Sequence, residues 1–190
     1  MRRIDGAAHR RRTVDPATGW AAVASRCARG VVLVGTGHGD DIHVMTACTF
    51  GVVSMDPPMV LVILGARGRT RRMLGRSGMF GVCLLGGDHE AAAARFTVAG
   101  PTRWTDLAPD RWWRAPMSGA PLLQSAVGWL DCAVDRVVDV ADRAVAIGRV
   151  LAVGTGSTAS PLIRFDGAYH RLGPAGQTRR APDSTYEGRG

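Results

Sequence analysis

Short apolar blocks separated by glycine-rich and polar turns run through most of the chain, a pattern typical of a protein built mainly from β-strands. The block 59–64 is continuously apolar, which predicts a strand covered on both faces. Segments 31–36 and 42–47 are joined by glycines and aspartates, which favour a hairpin turn. Strands are predicted at 31–36, 42–47, 59–64, 79–85, 126–140, 144–153 and 161–165.

The first predicted helix begins at Asp15-Pro16, because an aspartate N-cap followed by proline in the first turn is a strong start signal. Gly30 stands where a C-cap is expected. The spacing i, i+3, i+4, i+7 predicts an amphipathic helix whose apolar face carries Trp20, Val23, Ala24 and Cys27.

Two more helices are predicted between strands. One is short, covers 70–77 and ends at Gly78, a typical C-terminal glycine. The other is capped by Asp88 and runs through an alanine-rich stretch, with Phe96 as its inward anchor. Because the connections are short, the strands should pair mostly antiparallel. The pattern therefore predicts a mainly-β fold, a Greek-key-like antiparallel barrel with a few peripheral helices.

The segment 126–140 alternates between apolar residues and acids. We expect Asp131, Asp135 and Asp139 to form a solvated face rather than a metal site, since no histidine lies among them. Between 100 and 119 the chain has little periodicity, so a long excursion with a short helix is predicted. Its tryptophans are expected to pack in the core, with a pocket or a subunit interface as the alternatives: Trp104, Trp112 and Trp113.

The net charge of +8 suggests a nucleic-acid partner, but its distribution argues against one. Residues 1–13 contribute +4 and residues 171–190 contribute +2, which leaves only +2 between them. The basic residues therefore lie mostly in two terminal segments. We predict a basic disordered arm at 1–13, one domain at 14–172, a flexible tail at 173–190 and no nucleic-acid partner.

The chain has neither an apolar run long enough to span a membrane nor an apolar segment near its start, so a cytoplasmic protein without membrane contact is expected. The four cysteines show no zinc-binding spacing, and a disulfide framework is not expected in that compartment. Most of them should be small buried side chains, and no metal site is predicted: Cys27, Cys48, Cys83 and Cys132.

Between strands 42–47 and 59–64 lies a run of small residues, Thr46-Ala47-Cys48-Thr49. Small side chains there would let the backbone approach a flat ligand, or they would fill a tight corner of a barrel. The pattern alone leaves both interpretations open.

The ordered set of motifs over about residues 16–172 resembles the flavin reductase-like domain family, which has an FMN-binding split β-barrel. Its most specific part is the stretch from Met45 to Val62, in which Met45-Thr46-Ala47 and Phe50 precede Ser54-Met55-Asp56-Pro57-Pro58 and Val60-Leu61-Val62. Further matches are Gly30-Val31, Arg69-Thr70, Leu74, Ser77-Gly78-Met79-Phe80, Gly119-Ala120-Pro121, Trp129-Leu130-Asp131-Cys132, Gly148-Arg149-Val150, Gly167-Ala168-Tyr169 and Leu172.

The resemblance implies a site. The segment 46–49 would present backbone N–H groups and hydroxyls to the heteroatom edge of an isoalloxazine ring, and the turn 67–70 would bind the flavin phosphate. Arg143 and His170 are possible residues on the nicotinamide side, and no catalytic acid or base is assigned. The implied flavin-binding residues are Met45, Thr46, Ala47, Cys48, Thr49, Ser54, Ala66, Arg67, Arg69, Thr70 and Cys83.

The resemblance also implies an activity. A homodimer would use NADH or NADPH to reduce FMN or FAD by hydride transfer to flavin N5, supplying a partner monooxygenase in secondary or aromatic metabolism. Arg143 is expected to be a surface arginine, with the alternative that it favours a 2′-phosphate and hence NADPH. Cys48, Cys83 and Arg143 depart from the family pattern, so the alternative is a flavin-binding protein or repurposed biosynthetic enzyme without reductase turnover.

Overall fold

A computed structural model describes residues 15–98, 100, 103–108 and 111–173. The predicted arm 1–13, and the predicted tail apart from Gly173, lie outside these residues. The helices are α1 Pro16–Ser25, α2 Arg69–Ser77 and α3 Glu90–Val98, with 3₁₀ turns at Gly87–His89 and Trp104–Asp106. The strands are β1 Arg29–Gly30, β2 Val32–His38, β3 Asp41–Ala47, β4 Phe50–Met55, β5 Pro58–Gly65, β6 Met79–Leu84, β7 Trp112–Arg114, β8 Pro121–Leu123, β9 Gly128–Val140, β10 Arg143–Thr155, β11 Leu162–Phe165 and β12 Ala168–Arg171.

Seven strands form the main sheet in the order β3-β2-β6-β9-β10-β5-β4, with every neighbouring pair antiparallel. The two edge strands, β3 and β4, are consecutive in the chain and are joined by only Cys48 and Thr49. A two-residue link between opposite edges requires the sheet to curl until these edges meet. The predicted mainly-β antiparallel barrel with peripheral helices is confirmed.

The inside of the curled sheet is filled by one face of each strand, as the period of two along a strand requires. Phe80 lies at its centre against Gly148, where a β-carbon would collide with the phenyl ring. Burying side chains of this size contributes about 1.5–3 kcal/mol each. The fully or almost fully buried interior residues include Val32, Val34, Val60, Val62, Leu64, Leu74, Phe80, Val82, Cys132 and Ala146.

A second layer covers the outer face of β2, β3 and β6. It consists of α3, the β7–β8 hairpin and β11, with the rings of Phe96 and Trp112 edge to face at 5.5 Å. Gly35 lets the hairpin approach, because a β-carbon there would lie 2.5 Å from the carbonyl oxygen of Pro121. Within this layer, β11 is also the central strand of a three-stranded sheet, β1-β11-β12, which is distinct from the main sheet. Phe96 is the inward anchor of α3, as predicted.

The seven predicted strands are present, but β1, β4, β7, β8 and β12 have no predicted counterpart. β4 escaped the pattern because it is an edge strand: Val52, Val53 and Met55 are exposed, and a register shift after Val52 interrupts its alternation. The expectation that strand 59–64 is covered on both faces is wrong for this chain. Only alternate residues of β5 are fully buried.

The apolar face of α1 is not packed into this chain. Trp20 is 69% exposed, Val23 is 60% exposed and Cys27 is also exposed. The helix is tied to the rest of the fold near its C-terminus, where the backbone N–H of Asp166 donates to the carbonyl of Ser25 at 2.8 Å. The sequence therefore predicts the start of this helix correctly. It does not predict its end, which lies at Ser25 with Gly30 in β1, or the exposure of its apolar face. None of the helices in the described ranges is long and apolar enough to cross a membrane.

Asp131 is completely buried, so the predicted solvated acidic face is wrong at this position. One carboxylate oxygen accepts hydrogen bonds from the backbone N–H groups of Met117 (2.7 Å) and Ser118 (3.1 Å). The other is buried without a hydrogen-bond partner in the described chain. The excursion after β7 folds over this part of β9, whereas Asp135 and Asp139 lie beyond it and remain exposed. Asp131 thus fixes the turn that carries the chain from β7 to β8.

We expect Asp131→Ala to lower the free energy of unfolding by about 2–4 kcal/mol, because two backbone N–H groups of the turn would lose their charged acceptor. Asp135→Ala, on the exposed part of the same strand, should change it by no more than about 0.5 kcal/mol. Urea denaturation followed by circular dichroism measures both. Equal small effects would show that the buried carboxylate does not hold the turn.

Candidate functional site

The segment 46–49 closes the barrel, and its two threonine hydroxyls serve that closure. Thr46 Oγ1 donates to the carbonyl oxygen of Ala93 in α3 at 2.7 Å, and Thr49 Oγ1 donates to that of Ile63 in β5 at 2.9 Å. The geometry therefore does not favour the predicted contact of these hydroxyls with an isoalloxazine ring. The segment instead offers its backbone: none of the hydrogen bonds within the described chain uses the N–H of Cys48 or Thr49.

Three other predicted site residues support this segment from inside the barrel. Ala47 is 6% exposed and Thr70 is 3% exposed, so neither presents a surface to a large ligand. The hydroxyl of Thr70 lies 2.9 Å from Met45 Sδ and donates to it. This contact connects the beginning of α2 to β3. Met45, Ala47 and Thr70 thus position the segment and the helix.

The predicted phosphate turn lines a cavity of about 500 Å³ formed by residues 65–68 together with Ala141 and Asp142. α2 begins directly after Gly68, whose position as N-cap brings no side-chain hydrogen bond. The first N–H groups of a helix are unsatisfied and carry a partial positive charge, which favours an anion. Ala66 holds the turn to the neighbouring loop by donating its N–H to the Asp142 carbonyl at 3.1 Å.

The two arginines expected at the phosphate are not equally placed. Arg67 lines the cavity, and its carbonyl accepts a hydrogen bond from the Arg72 guanidinium at 2.8 Å. Arg69 instead pairs with Asp41 at 2.7 Å, at the beginning of β3. Arg143 lies opposite Gly65 on the paired strand and forms an ion pair with Asp142 at 3.1 Å. The structure therefore brings Arg67 to this cavity, places Arg143 beside Asp142 at its border and directs Arg69 elsewhere.

The remaining predicted residues are scattered. Ser54 lies on the edge strand β4, opposite Met59. Cys83 is 1% exposed, and its sulfur accepts the N–H of Leu123 at 3.2 Å, so it offers no surface to a ligand in this chain. His170 lies on β12, near the Phe165 carbonyl at 3.2 Å, in a different sheet from Arg143. The two candidates for the nicotinamide side are therefore not on one strand pair.

Sequence reasoning missed a cationic group beside Cys48. Arg29 in β1 and Arg164 in β11 are direct cross-strand partners. Both exert an electrostatic influence on the Cys48 thiol, lowering a pKa that burial raises more strongly. The guanidinium carbon of Arg164 lies 4.7 Å from the centre of the Tyr169 ring. No spacing pattern could have revealed this pair, because β1 is two residues long and its partner lies 135 positions away.

The tryptophans of the excursion combine packing with a pocket. Trp112 is buried, and the Trp113 and Trp129 rings meet edge to face at 5.0 Å. Trp104 carries the Arg114 guanidinium 4.2 Å above its ring. A cavity of about 540 Å³ opens between these side chains. Both the packing role and the pocket that the sequence left open are thus present.

The cysteines differ in burial, which predicts their order of reactivity because only the thiolate attacks. Burial raises the pKa of Cys83 to about 12, and burial with the neighbouring Asp131 carboxylate raises that of Cys132 to about 12. Burial also raises the pKa of Cys48, but to a smaller extent, because Arg29 and Arg164 act in the opposite direction. We expect alkylation at pH about 8 to modify exposed Cys27 first, Cys48 slowly, and the other two only after unfolding. Peptide mass spectrometry over time checks this order, and labelling of folded Cys83 would contradict the burial described here.

Comparisons with known proteins agree with this fold. A family model described as "Flavin reductase like domain" matches residues 24–173. The NADH-dependent flavin reductase StyB of Pseudomonas fluorescens is 33% identical over 169 residues, covering 88% of this chain and 90% of StyB.

Two solved structures are similar throughout. BorF, the flavin reductase component of a bacterial two-component tryptophan halogenase, superposes with a TM-score of 0.77 at 31% identity, covering 82% of this chain and 98% of BorF. The NADH:FAD oxidoreductase SgcE6 of Streptomyces globisporus, in complex with NAD and FAD fragments, gives 0.79 at 28% identity, covering 87% and 99%. With three quarters of its length matched by the family model, the chain belongs to the flavin reductase-like domain family.

Proposed function

We propose that this protein is an NADH-dependent flavin reductase that supplies reduced flavin to a partner flavin-dependent monooxygenase. The observation that carries the proposal is the alignment of two sites along β5. Thr49, in the segment expected at the ring, bonds to Ile63, and only two residues later Gly65 begins the cavity at the start of α2. A flat ring with a phosphate-bearing side chain needs such a pair of sites. The relatives named as flavin reductases support this interpretation.

The described residues fit a flavin in both parts. The unused backbone N–H groups of Cys48 and Thr49 are donors for the heteroatom edge of the ring, and the small side chains there allow its close approach. The helix terminus at Gly68, with Arg67, is the proposed phosphate site. When bound, the flavin supplies the atom that accepts hydride. The chain contributes orientation and exclusion of water, so no side chain is assigned as an acid or base.

NADH is the proposed donor, in preference to NADPH. Arg143 stands beside the Asp142 carboxylate, and both side chains are exposed. A carboxylate next to the guanidinium repels a 2′-phosphate, which offsets the attraction that Arg143 alone would provide. Two relatives, from Pseudomonas fluorescens and a Rhodococcus species, are named as NADH-dependent flavin reductases. FMN and FAD are both proposed as flavin substrates, since relatives are named for each.

A homodimer is part of the proposal, because this chain leaves apolar edges uncovered. β4 is the last strand of the sheet, and its Val52 is 63% exposed and its Met55 is 75% exposed. An apolar edge strand of this kind is normally paired or covered. The partner oxygenase and a cytoplasmic location are proposed with it. Relatives include a subunit named as the reductase of a flavin-dependent monooxygenase in Rhodococcus jostii.

The purified protein should oxidise NADH only when FMN or FAD is added, and faster than NADPH. Loss of NADH absorbance in aerobic buffer, with each flavin in turn, measures the rate and identifies both substrates. Flavin binding without any NADH or NADPH oxidation would contradict the reductase and favour the alternative of a flavin-binding protein without turnover.

Cys48→Phe should weaken flavin binding by about tenfold or more, because a bulky ring at this position blocks approach to the backbone and removes at least about 1.4 kcal/mol of binding. Cys27→Phe is the matched control at an exposed cysteine outside the proposed site. Quenching of free FMN fluorescence measures the affinity. If the two variants bind equally well, the ring does not lie against 46–49.

Asp142→Asn should lower the KM for NADPH by about threefold to tenfold while changing that for NADH much less, because one nearby carboxylate ceases to repel the 2′-phosphate. Asp139→Asn is a matched control, since Asp139 is also exposed and also paired with an arginine, Arg71. Steady-state kinetics with both donors measures the ratio. An unchanged preference would place the adenosine end away from this loop.

Val52→Asp should convert the dimer to a monomer, because a charge on the uncovered edge strand opposes its burial between two chains. Val153→Asp is the control, since Val153 is equally exposed, at 63%, on β10. Sedimentation analysis distinguishes the two states. A wild-type protein that sediments as a monomer would overturn the proposed dimer directly.

A further inference from the structure

We propose that Arg29 and Arg164 form a cationic subsite that binds the negative charge a flavin ring carries after it has accepted hydride. The inference rests on the proposed function, and it assigns to this chain a pair of residues that selects the reduced product over the oxidised substrate. In this proposal the segment around half-buried Cys48 has a second role, which is to hold the ring edge next to two positive charges.

The two arginines are placed where their like charges lower the stability of the fold. They are direct partners in the antiparallel pair β1–β11, where facing side chains are about 4.5–5.5 Å apart at Cβ. Like charges in this arrangement destabilise the pair. The short strand β1 nevertheless places them there, anchored by the hydrogen bond from the Val31 N–H to the Leu162 carbonyl at 3.0 Å.

Neither arginine has an acidic partner in the described part of the chain. The ion pairs there involve other arginines, and Arg29 and Arg164 take part in none of them. Arg29 Nε is buried without a hydrogen-bond partner, and burying an unsatisfied charged donor is costly. Arg164 is held by the Tyr169 ring at 4.7 Å rather than by a carboxylate. An anion between the two guanidinium groups would relieve both their repulsion and the unsatisfied donor.

The subsite borders the proposed position of the ring edge. Val32, three residues after Arg29, pairs with Ala47, which directly precedes Cys48, so the chain at β1 runs next to this segment. Both arginines also act electrostatically on the Cys48 side chain. The unused N–H groups of Cys48 and Thr49 are the ones assigned to the ring edge. Tyr169 and Cys48 also pack against the same outer core. The field of the two guanidinium groups therefore reaches the part of the site where a ring would present its nitrogen and oxygen atoms.

The chemistry supplies the anion. Hydride transfer breaks the C4–H bond of NADH and forms an N5–H bond, so one proton and two electrons move to the ring and the donor leaves as NAD⁺. The product has one additional negative charge, delocalised over N1 and the C2 carbonyl until water supplies a proton. Positive groups fixed beforehand at that edge favour the charged product, and their effect is largest where water is partly excluded.

The direct test compares affinities for oxidised and reduced FMN in Arg29→Gln, Arg164→Gln and the double variant. Oxidised FMN is titrated by fluorescence quenching, and dithionite-reduced FMN is titrated anaerobically by absorbance. Each single variant should weaken binding of reduced FMN by about threefold to tenfold more than binding of oxidised FMN. A tenfold change in this ratio corresponds to a shift of about 30 mV in the two-electron potential of bound flavin.

Three controls separate charge from structure. Arg29→Lys and Arg164→Lys keep the positive charge and should retain most of the preference for reduced FMN. Arg136→Gln removes an exposed arginine of β9 and should not change the ratio. The melting temperature without flavin should not fall in Arg29→Gln or Arg164→Gln, because these variants remove a repulsion between like charges.

Equal weakening of both redox forms, or none, would overturn the inference. So would a loss confined to FAD and NADH, with FMN unaffected, because the arginines would then bind a dinucleotide diphosphate instead. The proposed function fails separately, if the wild type does not oxidise NADH with any flavin. The subsite is supported if the variants change the ratio of affinities for reduced and oxidised FMN, the wild type oxidises NADH, and the unliganded variants remain stable.

Discussion

The structure depends on closing a seven-stranded sheet through a link of only two residues. Cys48 and Thr49 join the two opposite edges, and the hydroxyls of Thr46 and Thr49 fasten the closure to α3 and to β5. These bonds explain the threonines at 46 and 49, because an apolar side chain at either position would lose a hydrogen bond that fastens the closure. The small residues therefore do fill a tight corner of the barrel, and the proposed approach of a flat ligand would use the same segment.

The same closure arranges the proposed site. Because Thr49 is bonded to β5, the unused backbone N–H groups of Cys48 and Thr49 are aligned with the loop that leads from β5 into α2. Thr70, buried against Met45, keeps the helix in place from inside the barrel. Binding elements far apart in sequence are thus fixed by the barrel itself, and this rigidity supports a reaction in which orientation is the main contribution of the protein.

How much of this was accessible from sequence depended on whether each residue's role was local. Strand blocks, the helix caps at Pro16 and Gly78, and the family motifs gave most elements, because they depend on neighbours along the chain. Asp131 was misjudged because its burial depends on an excursion that returns over β9. The face of α1 was misjudged because apolar spacing does not reveal whether a surface is covered by this chain. Arg69 was assigned to the phosphate because its partner, Asp41, belongs to another hairpin.

Arginine placement shows what the fold does with its positive charge. Arg69, Arg71 and Arg143 each face a carboxylate, and partly exposed pairs of this kind contribute little to stability. Arg29 and Arg164 face each other instead, which costs some stability, and the contact of Arg164 with the Tyr169 ring offsets only part of it. A bound anion would remove the remaining repulsion. The charges that do not stabilise this chain are therefore those most informative about what it binds.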